Sequence, residues 1–446
     1  MSDGIYHGQR SGSLRGLAAN FAWLLGGRTA AAVFSLIYLA ILTRTLGPVD
    51  YGQFALIIGT AQAVTAFVSF QTWQVVVRFG MDRLRAGREG DLVALLKFCI
   101  LLDIAGALVG AVLAVILVLS LAPLFGWSDQ LVRYALIFAA ASLLFVKSTP
   151  NGILRLYDRF AVAANVEAAL TAARLVGAVI VWLATPSIGS FILVWALAEF
   201  AACALSWVLA LRASRSLRWS EVPAHPRQVL QDTPGLGRFA VITNIAQMVG
   251  LAGKQVPVLL TGLFVGPAAA GGFQIALQLG NALTKVGALA VQTLLPELMR
   301  AKTFAIENGE QAFRRLLNSS LAIGAIAGTV VLLVVVLFGR FALTGIAGPE
   351  FASAYPLLVL IALASAISLA TVPLEPALYA SGGEMAAVKV RVVTTALAVA
   401  AMAILGAYWD AIGIAFAILG GALIAGVALA WSLKRHIDTG NKENGA

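Results

Sequence analysis

The chain has 446 residues, of which 60% are hydrophobic and only 12% are charged, and its mean hydropathy is +0.91. Soluble domains carry roughly 25% charged residues, so this composition excludes a soluble globular protein. The net charge of +10 could suggest nucleic acid binding, but basic loops on the cytoplasmic side of a membrane protein explain it better. We therefore expect no nucleic acid partner.

The predicted elements are apolar runs, each long enough to cross a membrane as a helix, which takes about 20 residues. Only helices and closed barrels satisfy the backbone inside lipid. Barrel strands are short and alternating, so these long runs predict an all-α integral membrane protein. Twelve runs follow one another along the chain, at residues 17–43, 51–77, 92–120, 130–149, 161–184, 189–211, 239–265, 271–297, 316–338, 354–378, 388–408 and 411–433.

The first run is too long for the core of a cleavable signal peptide, so we expect it to be a retained helix. The two cysteines, Cys99 and Cys203, fall inside predicted helices and give neither a disulfide framework nor a metal-ligand spacing. The three histidines lie in the two tails and one loop, at His7, His225 and His436. We expect no metal site and no cofactor.

Basic residues alternate along the chain as the positive-inside rule requires. With the N-terminus in the cytoplasm, the cytoplasmic segments hold 22 lysines and arginines and the external segments hold 3, namely Arg44, Arg133 and Arg340. The sequence therefore predicts a multi-pass membrane protein with both termini cytoplasmic. The external loops are short, and we expect no sizeable soluble domain on either face.

The chain repeats a turn motif at a displacement of 219 residues. The matching pairs are Gly47 and Gly266, Pro48 and Pro267, Gly52 and Gly271, and Phe54 and Phe273. Six predicted helices precede a proline-rich linker and six follow it, so both halves have the same orientation, as in a parallel repeat about an axis along the membrane normal. We expect an N-terminal six-helix bundle at 1–211, a cytoplasmic linker at 212–238, a C-terminal six-helix bundle at 239–433 and a cytoplasmic tail at 434–446.

Four basic residues fall near mid-depth in predicted helices, where a charge costs at least about 2.5–3.5 kcal/mol. They are Arg28, Arg174, Lys254 and Lys285. Only two acids, Asp103 and Glu199, lie at similar depth, which leaves a surplus of positive charge for a water-filled cavity. A diphosphate would complement it, because arginine gives bidentate contacts and lysine a compact charge.

The two deep acids have two interpretations. Asp103 and Glu199 can be permanent partners of the cations, or they can be coupling sites for a proton or cation whose binding responds to nearby charges. Glu167 and Arg174 are seven residues apart on one helical face, which permits a shared network. The chain has no phosphate-binding G-x-x-x-x-G-K-[ST] motif. We therefore expect an ion gradient, or consumption of the transported substrate, to supply any energy.

The stretch LTRTLGPVDYGQF at residues 42–54 closely resembles the Arg-x-Leu-Gly-Pro-x-x-Tyr-Gly-x-Phe signature of a transporter family. This family is the polysaccharide-exporter (Wzx-type) branch of the multidrug/oligosaccharidyl-lipid/polysaccharide flippase superfamily. We expect Arg44 to order the external turn rather than to touch a diphosphate. The residues assigned to the structural motif and its repeat are Arg44, Gly47, Pro48, Asp50, Tyr51, Gly52, Gly266 and Pro267.

The resemblance implies a MATE-like fold, with two six-helix bundles forming a V around a central, typically cationic cavity. It also implies a location in the bacterial inner (cytoplasmic) membrane. There, alternating access would move a polyprenyl-diphosphate-linked oligosaccharide from the cytoplasmic to the periplasmic leaflet for polysaccharide biosynthesis. The implied partners are this lipid-linked oligosaccharide, membrane lipids and other polysaccharide-assembly membrane proteins.

Two alternatives stay open. An ion-coupled multidrug or metabolite antiporter would share the fold, but that branch often has an acid in its first helix, where this chain has Arg28. A membrane glycan polymerase or glycosyltransferase is disfavoured because no large loop or catalytic acid cluster is present. We therefore expect a transporter and not an enzyme.

Overall fold

A computed structural model describes residues 14–219, 226–292 and 310–444, with side chains for residues 32–219, 226–282 and 313–437. Every regular element in these ranges is a helix. The helices are α1 (Leu14–Val68), α2 (Thr72–Arg85), α3 (Glu89–Leu121), α4 (Asp129–Leu144), α5 (Ser148–Leu156), α6 (Phe160–Ala184), α7 (Ile188–Ala213), α8 (Pro226–Asp232), α9 (Leu236–Phe264), α10 (Pro267–Gln292), α11 (Glu310–Ala347), a 3-10 helix (Pro349–Ala354), α12 (Tyr355–Thr371), α13 (Leu374–Ala380) and α14 (Glu384–Asn444).

Within these described ranges, nine stretches are long and apolar enough to cross a membrane. Two of them, Ala32–Arg85 and Glu384–Ile437, are 54 residues long, which is enough for two crossings each. The first is kinked at Gly47 and the second at Trp409 and Asp410, where the backbone leaves the helical region. With α10, the described helices correspond one by one to the twelve predicted runs.

Three of the predicted runs were expected to be continuous helices but are interrupted in the structure. Residues 130–149 divide into α4 and α5, and residues 354–378 divide into α12 and α13. A proline causes each break, because its ring lacks an N–H and clashes with the preceding turn. Pro150 lies in the first turn of α5, and Pro373 directly precedes α13. These are the positions at which a helix tolerates proline.

The third break lies in the run 51–77, where α1 ends at Val68 and α2 begins at Thr72. No proline or glycine lies between them. The Asn244 side chain of α9 donates a hydrogen bond of 3.0 Å to the Ser69 carbonyl. A side chain from the other half of the chain thus satisfies a carbonyl that the helix leaves without a partner.

In the part of the chain that the structure describes, the two halves share one core at one end of the molecule and have separate cores at the other. The paired end carries the turns at residues 47–52 and 266–271, and buried residues of both halves form a single core there. The basic end carries residues 78–91, 155–159 and 212–219. At that end one core belongs to the N-terminal half with α8 and the start of α9, and another belongs to α11, α13 and α14. The described helices therefore form a V that is closed at the paired end.

The repeated turns contact each other at the paired end. A Cβ on Gly52 would overlap the Pro267 carbonyl, and a Cβ on Gly271 would lie 3.0 Å from the Pro48 carbonyl oxygen. Each turn therefore places a glycine against the proline of its counterpart, and only glycine allows backbones this close. Gly47 has a φ of 70°, a left-handed value that also favours glycine. The repeat in the sequence is thus a reciprocal contact in the structure.

Candidate functional site between the two halves

A cavity of about 270 Å³ lies at the junction of the two halves. Its wall comes from α1, α6 and α7 of the N-terminal half and from α10 of the C-terminal half. Leu42, Phe54 and Trp195 contribute apolar surface. The polar side chains in the wall belong to Ser35, Tyr38, Tyr51, Gln62, Thr171, Arg174, Gln274 and Gln278. A site shared by both halves is where a two-bundle transporter binds its substrate.

Arg174, one of the four predicted cations, reaches this cavity as part of a charge cluster in the N-terminal half. Its guanidinium pairs with Glu199 and lies 4.1 Å from the centre of the Trp195 ring, within cation–π range. Lys147 Nζ lies 2.8 Å from Glu199 Oε2 and 3.9 Å from Glu167 Oε1. Two cations thus face two acids, so the described cluster has no surplus charge.

Of the other three predicted cations, Lys254 is the one whose side chain the structure describes. The Lys254 side chain of α9 is exposed, and Gln255 beside it donates a hydrogen bond of 2.5 Å to the cavity residue Gln62. Lys254 therefore lies one residue from the contact between the halves. Arg28 and Lys285 lie outside the residues whose side chains are described.

Asp103 lies apart from the described cavity, in the interior of the N-terminal half. It is 8% exposed and accepts hydrogen bonds from Thr72 Oγ1 at 3.0 Å and from Thr149 Oγ1 at 2.5 Å. Thr72 is the first residue of α2 and Thr149 the second of α5. Two helix N-termini, whose dipoles favour negative charge, thus converge on this carboxylate. Within the described residues, Asp103 forms no ion pair.

Arg44 connects the two halves at the paired end. Its guanidinium donates hydrogen bonds to the carbonyls of Ile346, at 3.2 Å, and of Gly345. These carbonyls belong to the last turn of α11, which leaves them without helical partners. A cation is also favourable at this helix end. Arg44 therefore binds the opposite half of the chain, 302 residues away, as well as belonging to its own turn.

The remaining motif residues line the same contact. Tyr51 is 2% exposed and meets Phe351 of the other half edge to face, with ring centres 6.0 Å apart. Asp50 is exposed. Glu350 approaches Gly47, where a Cβ would lie 3.7 Å from its carboxylate oxygen. The structure thus brings the signature of residues 44–54 into the seal between the halves.

Sequence reasoning missed the amide groups of the cavity and the position of Lys147. The amides belong to Gln62, Gln274 and Gln278, which lie inside the apolar runs 51–77 and 271–297. Polar side chains inside an apolar run could have indicated a cavity. Lys147 lies near the end of a run, where a lysine commonly extends toward the interface. It turns inward because α4 ends at Leu144, which brings it to Glu199.

Residues 17–302 match the protein family described as "Polysaccharide biosynthesis protein". This match covers more than half of the chain. The chain belongs to the polysaccharide biosynthesis protein family. The inner membrane protein YghQ of Escherichia coli (strain K12) is 27% identical to it over 358 residues, which are 79% of this chain and 99% of YghQ.

Solved structures with the same fold include an inward-facing multidrug resistance MATE family transporter of the MOP superfamily. It has a TM-score of 0.69 at 14% identity, over 93% of this chain and 96% of that one. The lipid II flippase MurJ in an inward closed conformation has a TM-score of 0.63 at 14% identity, over 91% of this chain and 87% of that one. The Vibrio cholerae MATE transporter VcmN in its bent form has a TM-score of 0.56 at 15% identity, over 93% of this chain and 94% of that one.

These comparisons confirm the predicted fold of two helical bundles around a central cavity. They also confirm the resemblance found in residues 42–54. This member of the polysaccharide biosynthesis protein family is a multi-pass membrane protein with the fold of MATE transporters and MurJ.

Proposed function

We propose that this protein moves a polyprenyl-diphosphate-linked oligosaccharide from the cytoplasmic to the periplasmic leaflet by alternating access. The observation that carries the proposal is the cavity built by both halves of a polysaccharide-family chain and closed at the paired end. The diphosphate and the sugars of such a cargo are polar. They need a path shielded from lipid, and a V between two bundles provides one.

The proposal requires the basic end to face the cytoplasm, with both termini on that side. The support is the distribution of lysine and arginine over alternate loops, which sets orientation in membrane proteins. In that orientation the V accepts cargo from the cytoplasmic leaflet. We keep the division into bundles at 1–211 and 239–433, a linker at 212–238 and a tail at 434–446 as part of this proposal.

The diphosphate is assigned to the cationic set Arg28, Arg174, Lys254 and Lys285. Lys254 is exposed beside the contact between the halves, so it is available to an anion. Arg174 already has Glu199 as a partner, so Arg28, Lys254 and Lys285 are the members of this set that supply net charge to the diphosphate. Lys254→Ala and Lys285→Ala should each weaken binding of a sugar-free polyprenyl diphosphate to the purified protein. The matched control is Arg133→Ala, which removes an exposed arginine at the paired end, and unchanged binding in both lysine variants would refute the assignment.

Transport of this kind involves no covalent chemistry, so the proposal assigns no catalytic residue. Asp103 and Glu199 remain the candidates for ion coupling. Glu199 is connected to the cavity through Arg174, because protonation of Glu199 would release Arg174 and Lys147 together, whereas Asp103 lies apart from the cavity. Substrate anions competing for these cations would then be linked to protonation.

Deletion of the gene tests the function directly. We expect one surface or secreted polysaccharide to be lost while its lipid-linked repeat unit accumulates on the cytoplasmic face. The resemblance in fold to multidrug transporters favours an ion-coupled antiporter as the second candidate. A deletion strain with normal polysaccharide and increased drug sensitivity would establish that candidate instead.

A further inference from the structure

The cavity wall offers neutral hydrogen-bonding groups in an unusual concentration for a membrane interior. Gln274 and Gln278 are four residues apart on α10, and therefore lie on one face of that helix. Gln62 faces the same cavity from α1 in the other half. A glutamine amide carries two donors and an acceptor, which is the pattern that matches hydroxyl and acetamido groups.

Two further groups in the same wall lack partners. The Tyr38 hydroxyl and Arg174 Nε are buried, and neither has a hydrogen-bond partner among the described residues. Buried polar groups are normally paired, because an unpaired one forfeits its interaction with water. Both atoms are enclosed by neighbouring groups, so the polar groups of the wall that a ligand can reach are chiefly the amides.

The charge of the wall disfavours a dianion as that ligand. Arg174 pairs with Glu199, which also binds Lys147. The described cluster is therefore balanced, whereas a diphosphate needs uncompensated cations. The volume of about 270 Å³ is near the lower end of small-molecule sites, roughly 300 Å³, so it suits part of an oligosaccharide rather than the whole.

We propose that Gln62, Gln274 and Gln278 form a glycan-binding subsite, which holds sugar groups of the cargo while the diphosphate lies elsewhere. This inference rests on the proposed function. It makes the amide residues determinants of which glycan is accepted, because a site built to hydrogen-bond a hydroxyl rejects analogues that lack it.

The test uses substitutions that keep side-chain length and remove hydrogen bonding. The main variant is Gln274→Met/Gln278→Met. Gln278→Met alone is a second variant that disturbs packing less, because the Gln278 side chain is exposed to the cavity. Gln62 is left intact because it also bonds Gln255 across the halves. Gln130→Met is the matched control, since Gln130 is exposed at the paired end and bonds only Tyr134 of its own helix among the described contacts.

Binding is measured on full-length protein in lipid nanodiscs with two ligands. One is a polyprenyl diphosphate without sugar, and the other is the lipid-linked oligosaccharide extracted from cells that lack this protein. We expect the double variant to lose about tenfold in affinity for the extracted lipid, as two lost hydrogen bonds would give. Its affinity for the sugar-free lipid should stay at the wild-type value, as should both affinities of Gln130→Met.

Three results would overturn the inference. Equal losses for both ligands would place the diphosphate, not the sugar, at these glutamines. Unchanged affinity of the double variant for the extracted lipid would refute the glycan-binding subsite without contradicting the proposed function. Failure of the wild-type protein to bind either ligand would refute the proposed function, and the subsite with it.

Discussion

Removal of the Arg44 side chain should shift the protein toward a state that is open at the paired end. Arg44 is the side chain that donates hydrogen bonds to the last turn of α11 across the closed end of the V. These bonds must break if the paired end is to open. Arg44→Ala therefore removes an interaction of the closed state without removing core packing.

The magnitude follows from the exposure of Arg44. A hydrogen bond from a charged donor contributes roughly 1.5–3 kcal/mol when shielded, but Arg44 is exposed, and exposed ionic contacts are worth much less. We take about 1–2 kcal/mol for the two bonds together. That corresponds to a change of about 5–30-fold in the ratio of closed to open molecules.

The assay measures distances across the paired end by electron paramagnetic resonance. Spin labels replace Asp129 in the N-terminal half and Tyr408 in the C-terminal half, both exposed, in a background without Cys99 and Cys203. Arg44→Ala should increase the long-distance population, with protein abundance maintained.

The control is Arg133→Ala, which removes an exposed arginine from the same end and should leave the distances unchanged. Identical distance distributions for Arg44→Ala and its parent would refute a role of Arg44 in holding the paired end closed. A role limited to ordering its own turn would instead lower abundance in step with activity.

Four further predictions concern packing, the deep acids and topology. Gly52→Ala should destabilise the protein by about 1–3 kcal/mol through overpacking against Pro267, as measured by thermal unfolding. The control is Gly250→Ala, at a helical site with open space. Equal unfolding temperatures for the two variants would contradict the contact between Gly52 and Pro267. Glu199→Gln should destabilise by about 3 kcal/mol, because it leaves two partly buried cations without their partner. Asp103→Asn, which keeps an acceptor for Thr72 and Thr149, should fold normally but lose gradient-driven transport, and full transport would exclude it from coupling. Topology reporters that read reversed at two or more sites would refute the predicted orientation. The sites expected outside are Asp50, Asp129, Ser187, Ala269, Glu350 and Asp410, and those expected inside are Ala86, Pro223 and Glu307.

The helices were predictable where hydrophobicity alone defines them. The boundary between the first two runs falls at Gly47, and that between the last two at Trp409 and Asp410, as the apolar pattern indicates. The helix breaks were harder. Pro150 and Pro373 gave a local signal for two of them. The break before Thr72 had none, because its stabilising partner, Asn244, is 175 residues away from Ser69.

The candidate site was predictable only in part, because depth along a helix does not determine which side chains meet. Arg174 was correctly placed near the middle of a helix, and it does reach a cavity. Its neutralisation by Glu199, shared with Lys147, depends on how three helical segments pack. The repeat could be recognised in the sequence, but the contact between its two copies could not be predicted from it.

That contact has the form of an isologous interface within one chain. In a two-fold dimer, residue i of one subunit meets residue j of the other, and j meets i. Gly52 against Pro267 and Gly271 against Pro48 satisfy this rule at a displacement of 219 residues. A six-helix unit with such a self-complementary turn could close on a second copy of itself, so duplication and fusion of one gene would preserve the seal. Arg44 breaks the symmetry, because its counterpart is Leu263. Only the N-terminal half therefore makes this arginine contact with the opposite half.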